Sequence, residues 1–116
     1  MGVRKSRGED AAKARLSADI VSYSLGTSSA DFLAEGKGAP DAVFARQVAM
    51  YLCYTGFGLA RVAAAFERDR STVSYACHRI EDRRDEPVFD QWIESLEAMV
   101  RRAPVEAVAT LQSAPL

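Results

Sequence analysis

Apolar residues recur along most of this chain at three- and four-residue intervals, a rhythm that predicts helices. Leu59, Val62, Ala63 and Phe66 stand at i, i+3, i+4 and i+7, and Val73, Ala76, Cys77 and Ile80 repeat the spacing. Only Glu67, Arg68 and Asp69 separate the two runs, and Asp69 suits the N-cap of the second. Two short helices with facing apolar stripes and a tight turn make a helix-turn-helix. The second helix turns Arg70, Ser71, Ser74, Tyr75, His78 and Arg79 away from its apolar stripe, and Thr72 either joins them or stabilises the first turn. These are hydrogen-bond donors and acceptors, concentrated where a recognition helix meets base edges.

The flanking pattern predicts four more helices and an all-α bundle. Residues 1–8 read as a flexible basic arm. A helix is expected from Glu9 to Leu25, with Ala12, Leu16, Ile20 and Tyr23 on its apolar side and Gly26 ending it in the left-handed conformation. Ser28 and Asp31 have the spacing of a capping box for a short helix through Phe32 and Leu33, closed by Gly36. GKGAP, residues 36–40, reads as a loop. Asp41 is the expected N-cap of a helix to about Tyr54, with Ala45, Val48, Ala49 and Leu52 as its core stripe, and TGFG (Thr55 to Gly58) follows as a loop. The last helix is marked by Pro87 at its start, Arg101 and Arg102 in its last turn, and Pro104 beyond. Its wide stripe of Val88, Phe89, Trp92, Ile93, Leu96, Met99 and Val100 is expected to pack against the helix-turn-helix, with a dimer face as the alternative for part of it. The expected organisation is an arm at 1–8, one domain at 9–102 and a flexible tail at 103–116.

Charge refines this picture. The 116 residues carry a net charge of −1, which by itself argues against a nucleic-acid partner. The distribution argues the other way: residues 1–15 are net +3 and 61–84 net +2, whereas 16–60 are net −2 and 85–116 net −4. Positive charge therefore gathers in the arm and around the proposed recognition helix, and the acidic end is expected to point away from DNA. No apolar run approaches the ~18 residues of a membrane span, and the charged first ten residues lack an export signal core, so a cytoplasmic, nucleoid-associated protein is expected. Cys53 and Cys77 both fall on apolar faces and read as buried reduced thiols.

Catalysis finds no footing. GKGAP has the glycines of a phosphate-binding loop without its spacing or its strand. His78 has no serine or cysteine nucleophile at a suggestive spacing, and one histidine with two distant cysteines makes no zinc site. The carboxylates cluster in first helical turns, where capping accounts for them. The expectation is a non-enzyme with no cofactor and no metal.

The run ARQVAMYLC (Ala45 to Cys53), then LARVAAAF, then RDRSTVSYACHRIE (Arg68 to Glu81) resembles the C-terminal DNA-binding domain, domain IV, of the bacterial chromosomal replication initiator DnaA. That family shows a similar RQ-A-L run, a helix ending in AF, and a signature of the form RDH(S/T)TV-HAC-KI. The resemblance covers roughly residues 13–101. It implies a stand-alone DnaA domain IV-like, Trp repressor-like helical bundle without the initiator's ATPase module. It also implies double-stranded DNA as partner, with the full-length initiator as a further candidate, and a monomer or weak homodimer.

The resemblance assigns roles by position. Arg46 and Gln47 match positions close to the DNA backbone. Asp69 matches a residue that accepts from a base amino group as well as capping. Arg70 and Tyr75 each replace a histidine: Arg70 could read guanine bidentately or contact phosphate, and Tyr75 could lie against sugar or a thymine methyl. Ser71, Thr72 and Ser74 are candidates for base edges and phosphates, and His78, Arg79, Arg61, Arg68 and Lys37 for phosphates. The loop at 36–40 departs from the family. There an arginine enters the minor groove, whereas here Lys37 alone is basic, so the Arg4–Lys5–Arg7 arm is expected to take that place. Two functions follow: a sequence-specific DNA-binding regulator of replication initiation or transcription, or a protein-interaction adaptor that modulates the initiator. A DNA binder neutralising about four to six phosphates would show a log–log salt slope of roughly −4 to −5.

Overall fold

The structure is a computed structural model that describes residues 2–34, 36 and 38–103, with side chains described from Gly8 onward. Six helices follow in order: α1 (Gly2–Leu25), α2 (Ser29–Leu33), α3 (Pro40–Phe57), α4 (Leu59–Phe66), α5 (Arg70–Arg83) and α6 (Pro87–Arg102). No strand occurs among the described residues, so the all-α expectation holds.

The bundle is organised around α3. Ala42, Ala45, Arg46 and every residue from Val48 to Cys53 are buried, so the helix is covered on nearly all sides. An all-round apolar helix of this kind belongs at the centre of a domain. The small residues Ala14, Ala18 and Val21 of α1 are buried in the same core, as are Phe32 of α2, Val62 and Phe66 of α4, Val73, Ala76 and Ile80 of α5, and Ile93 and Leu96 of α6. Full burial of a Val, Ile, Leu or Phe side chain contributes about 1.5–3 kcal/mol.

Several boundaries differ from the sequence expectation, each for a local reason. The backbone of residues 2–8 continues α1 instead of forming a separate arm. It contains no proline, and Gly8 inside the helix costs only ~1 kcal/mol. The side chains of Arg4, Lys5 and Arg7, together with Lys37 and residues 104–116, lie outside the described residues. On α1 the buried residues are Ala12, Ala14, Ser17, Ala18 and Val21; of the expected Ala12–Leu16–Ile20–Tyr23 side, Ala12 is buried, Leu16 and Ile20 are half-buried, and Tyr23 is 85% exposed. Close approach to α3 requires small residues, and the larger side chains rotate to the rim.

The predicted TGFG loop is helical through Phe57, and the chain turns at Gly58 alone, at φ 86°. Ala39 occupies the N-cap of α3, with Pro40 at the first turn and Asp41 inside it rather than capping. Ser28 and Asp69 both stand at N-cap positions, but neither makes a side-chain capping bond. The expected Ser28–Asp31 box is replaced by a backbone bond from Asp31 N to Ser28 O at 3.1 Å. Gly26 does end α1 at φ 72°, its N–H donating to Ser22 O at 2.8 Å.

On α6 the stripe is narrower than expected. Val88 is 81% and Met99 42% exposed, while Phe89, Ile93, Leu96 and Val100 are buried. Phe89 and Trp92 meet Phe44 of α3 in an aromatic cluster with centroids 5.7–6.4 Å apart, and Trp92 Nε1 donates to Ser24 Oγ at 2.8 Å. These contacts bind α6 to α3 and to the end of α1, which leaves α5 free on its outer side.

Candidate nucleic-acid interface

The helix-turn-helix is α4, the turn Glu67–Asp69 and α5. Its sharp turn is set by Glu67, whose φ of 54° makes it a left-handed residue without being glycine. Its strain is offset by the bonds that end α4: Glu67 N donates to Ala64 O at 3.2 Å and Arg68 N to Ala63 O at 3.0 Å. From this turn α5 leaves with Val73, Ala76, Cys77 and Ile80 buried.

The opposite side of α5 is open. Arg70, Ser71, Thr72, Tyr75, His78 and Arg79 are exposed and Ser74 is half-buried. The structure therefore brings seven of the sequence-predicted residues onto one outward surface. Tyr75 is 60% exposed. Its hydroxyl accepts from Arg79 Nη1 at 3.4 Å, and the Arg79 guanidinium lies 5.8 Å from its ring centroid. His78 Nδ1 lies 2.8 Å from Ser74 O and holds its ring back along the helix. The carboxylate of Asp69 makes no capping bond and is exposed at the entrance to α5, so it remains able to accept from a base amino group.

The outermost strip, read at helical spacing, is Ser71, Tyr75, His78 and Asp82, all exposed. Asp82 was not singled out in the sequence, although its place four residues after His78 was legible. Its charge repels phosphate, so the first two and a half turns of α5 are the surface suited to a groove.

Between this helix and the start of α3 runs a cleft of about 470 Å³. Gly36, Val43, Gln47, Arg68, Asp69, Thr72 and Tyr75 are among its lining residues. It places Gln47 beside the start of α5. It also brings the loop after α2 alongside.

Other expected phosphate contacts are committed elsewhere. Arg46 is only 6% exposed and donates from Nη1 to Phe32 O at 3.0 Å. Burial, and then the neighbouring charge of Arg68, push its pKa down. It is a structural residue that ties α3 to α2. Arg61 donates to Asp10 through Nε at 3.0 Å and through Nη2, and lies 4.4 Å from the Phe57 ring centroid. Its hydrogen bond to Asp10 raises its pKa. Arg68 donates to Gly36 O at 3.2 Å and Ala34 O at 2.6 Å. These partners lie 14 to 51 residues away along the chain, beyond anything helical spacing reveals.

The C-terminal end of α5 carries a network that no sequence signal announced. Arg84 Nε donates to Asp90 at 2.6 Å, and its Nη1 donates to the Tyr51 hydroxyl at 3.1 Å and to Glu97 at 3.2 Å. The Tyr51 hydroxyl in turn donates to Glu81. Burial opposes the charge on Arg84, but the bonds to Asp90 and Tyr51 and the charge of Glu97 outweigh it and hold its pKa above the ordinary value. Burial, then the bond to Glu81, push the Tyr51 phenol up to about 12. The network fixes the end of α5 against α3 and α6, so the open half is presented at a set angle.

Cys53 and Cys77 are free and buried. Burial pushes both thiols up to about 11, so neither is a reactive thiolate at neutral pH. No group of His, Cys, Asp and Glu among the described residues could hold a metal ion, and no described helix is long and apolar enough to cross a membrane.

A two-helix unit with a left-handed turn, a buried inner stripe and an outward polar face is a helix-turn-helix of the DNA-binding class. The chain belongs to the bacterial DnaA protein helix-turn-helix family, whose model matches residues 18–80, more than half of its length. That span runs from the buried side of α1 to Ile80, the last core residue of the recognition helix. Comparison with curated proteins and with solved structures gives no match. Family membership suggests DNA binding with double-stranded DNA as partner, and suggests a binding module in place of an enzyme.

Proposed function

We propose that the protein binds double-stranded DNA sequence-specifically, with the first half of α5 in the major groove of an initiator-type site. It thereby regulates replication initiation or transcription. One observation carries the reading: Asp69, Arg70, Ser71, Thr72, Tyr75, His78 and Arg79 form an exposed polar surface at the start of a buried-backed helix. Phosphate contacts position such a helix, and contacts to base edges give the sequence preference. Arg70 has the fork that matches guanine O6 and N7, and Asp69 can accept from a base amino group. The Tyr75 ring, which Arg79 steadies, meets a thymine methyl in this reading. Because Arg70 and Tyr75 stand where the family has histidines, the preferred site overlaps the initiator's box without matching it at every base.

The test is a binding titration on duplexes carrying the initiator's box, its single-base variants and a scrambled control. A preference of about a thousand-fold or more over the scrambled duplex is expected. Equal binding to all duplexes would remove the reading.

A second reading is favoured by the bonds that Arg46, Arg61, Arg68 and Arg84 make within the chain. A domain that spends these cations internally suits an adaptor that docks on the full-length initiator and modulates it. The adaptor forms a stable complex with the initiator and shows no preferred duplex.

A further inference from the structure

We infer that Arg68 is a positioning residue that holds the loop between α2 and α3 at a fixed distance from the recognition helix. This inference rests on the DNA-binding reading. Arg68 sits in the middle of the helix-turn-helix turn, where a cation would ordinarily be read as a phosphate contact. Its geometry differs from that. Nη2 donates to Ala34 O at 2.6 Å and Nη1 to Gly36 O at 3.2 Å, across more than thirty residues of sequence. Both carbonyls belong to the stretch after α2.

The fork geometry of a guanidinium suits this task, because two parallel donors fix direction as well as distance. Nε is buried and without a hydrogen-bond partner, so the head group is walled in along its stem side. Swinging it out to meet phosphate would break both carbonyl bonds. The backbone of Arg68 is itself fixed, its N–H donating to Ala63 O at 3.0 Å at the end of α4. A rigid line therefore runs from α4 through Arg68 to residues 34 and 36.

That line matters because of what the loop borders. Gly36 lines the same cleft as Asp69, Thr72 and Tyr75, and Gly38 lines a neighbouring cleft with Gln47 and Arg79. A duplex lying on the outer side of α5 meets this loop as its next neighbour. Gly36 and Gly38 both have positive φ, 87° and 81°, so the loop's own backbone preferences fix it weakly. Arg68 supplies the missing constraint and couples two DNA-facing elements that are distant in sequence.

The decisive variant is Arg68→Lys, which keeps the charge and loses the fork. Binding to the preferred duplex should weaken by about tenfold, the scale of one charge-assisted hydrogen bond. The log–log salt slope should stay the same, and amide exchange at residues 34–38 of the free protein should accelerate. In Gly36→Ala the added methyl meets nothing within 4 Å, so the change acts on backbone preference alone. Combining it with Arg68→Lys should cost less than the sum of the single changes, because both act through the same loop.

A phosphate contact gives the opposite pattern. Arg68→Ala would lower the slope by about 0.9, loop exchange would stay unchanged, and the two substitutions would add; that result overturns the inference. Loop exchange is read without DNA, so it separates failure of this inference from failure of the DNA-binding reading, which a wild-type protein without a preferred duplex would show.

Discussion

The two ends of α5 are built from similar residues and do opposite things. On its open side, Arg70 in the first turn and Arg79 in the third are exposed and make no ion pair among the described residues. At its end, Arg84 is enclosed by Asp90, Glu97 and Tyr51, and Arg83 lies 4.1 Å from the Phe89 ring centroid. An arginine is a groove reader or a structural clamp according to whether carboxylates and rings reach it first. The end that is clamped gives the open end its precision. A recognition helix free to rock would present its donors at many angles, and a bidentate contact to guanine tolerates few.

Arg84→Ala should break this contrast most severely. It strands the carboxylates of Asp90 and Glu97 in a half-buried setting, and a loss of stability of about 3 kcal/mol is expected. Urea unfolding followed by helical circular dichroism gives the number. A change below about 0.5 kcal/mol would mean that the network is ornamental and that the aromatic cluster alone sets the angle of α5.

The buried groups of α3 and α5 predict an alkaline weakness that the exposed side of α5 does not share. The Cys53 and Cys77 thiols are pushed from 9.0 up to about 11, and the Tyr51 phenol from 10.0 to about 12. These groups ionise in the unfolded chain before they do in the folded one. Their contribution is fully present below pH ~9, falls as the pH rises, and is gone above the folded values. For Cys53 the loss between pH ~9 and ~11 should be about 2 kcal/mol. Cys53→Ala should flatten the profile over that window; an unchanged pH slope would show that the thiol is not the source.

Arg70→Ala should act on the open end alone. Discrimination at one guanine position should fall by about 1–2 kcal/mol, measured against single-base variants. Stability should change by less than about 0.5 kcal/mol, because the side chain is exposed. An unaltered preference profile would remove base reading by Arg70 and leave it a phosphate contact.

The same contrast explains what the sequence made legible. Residues four apart on one helix share a face, so the periodic pattern located α4, the three-residue turn, α5 and the seven outward side chains of α5. The run RDRSTVSYACHRIE pointed to the family, and the match over residues 18–80 upholds it. Partners brought together by the fold are another matter. Arg61 meets Asp10 across 51 residues and Arg84 meets Tyr51 across 33, and no spacing rule links them. Those contacts give Arg46, Arg61 and Arg68 partners within the chain that their sequence positions did not announce. Boundaries failed at Thr55–Phe57, where glycine suggested a loop but Gly56 is simply carried inside α3. On α1 the rule that large apolar residues face inward gave way to close helix packing, which buried Ala14 and Ala18 and left Tyr23 outside.

The smallest expected effect bears on charge. With Arg46, Arg61 and Arg68 bonded to partners within the chain, the cations left on the outer side of α5 are Arg70 and Arg79. A slope of about −2 is then expected from the helix-turn-helix face, shallower than the −4 to −5 that counting basic residues implies. Arg79→Ala should make the slope shallower by about 0.9, whereas Arg61→Ala should leave it unchanged, because Asp10 already neutralises that guanidinium. A measured slope near −5 would require further phosphate contacts, and deleting residues 1–8 locates them. If the deletion returns the slope to about −2, the basic start of α1 supplies them. If it does not, Arg61 exchanges Asp10 for phosphate on binding, and the division between open and committed arginines holds only for the free protein.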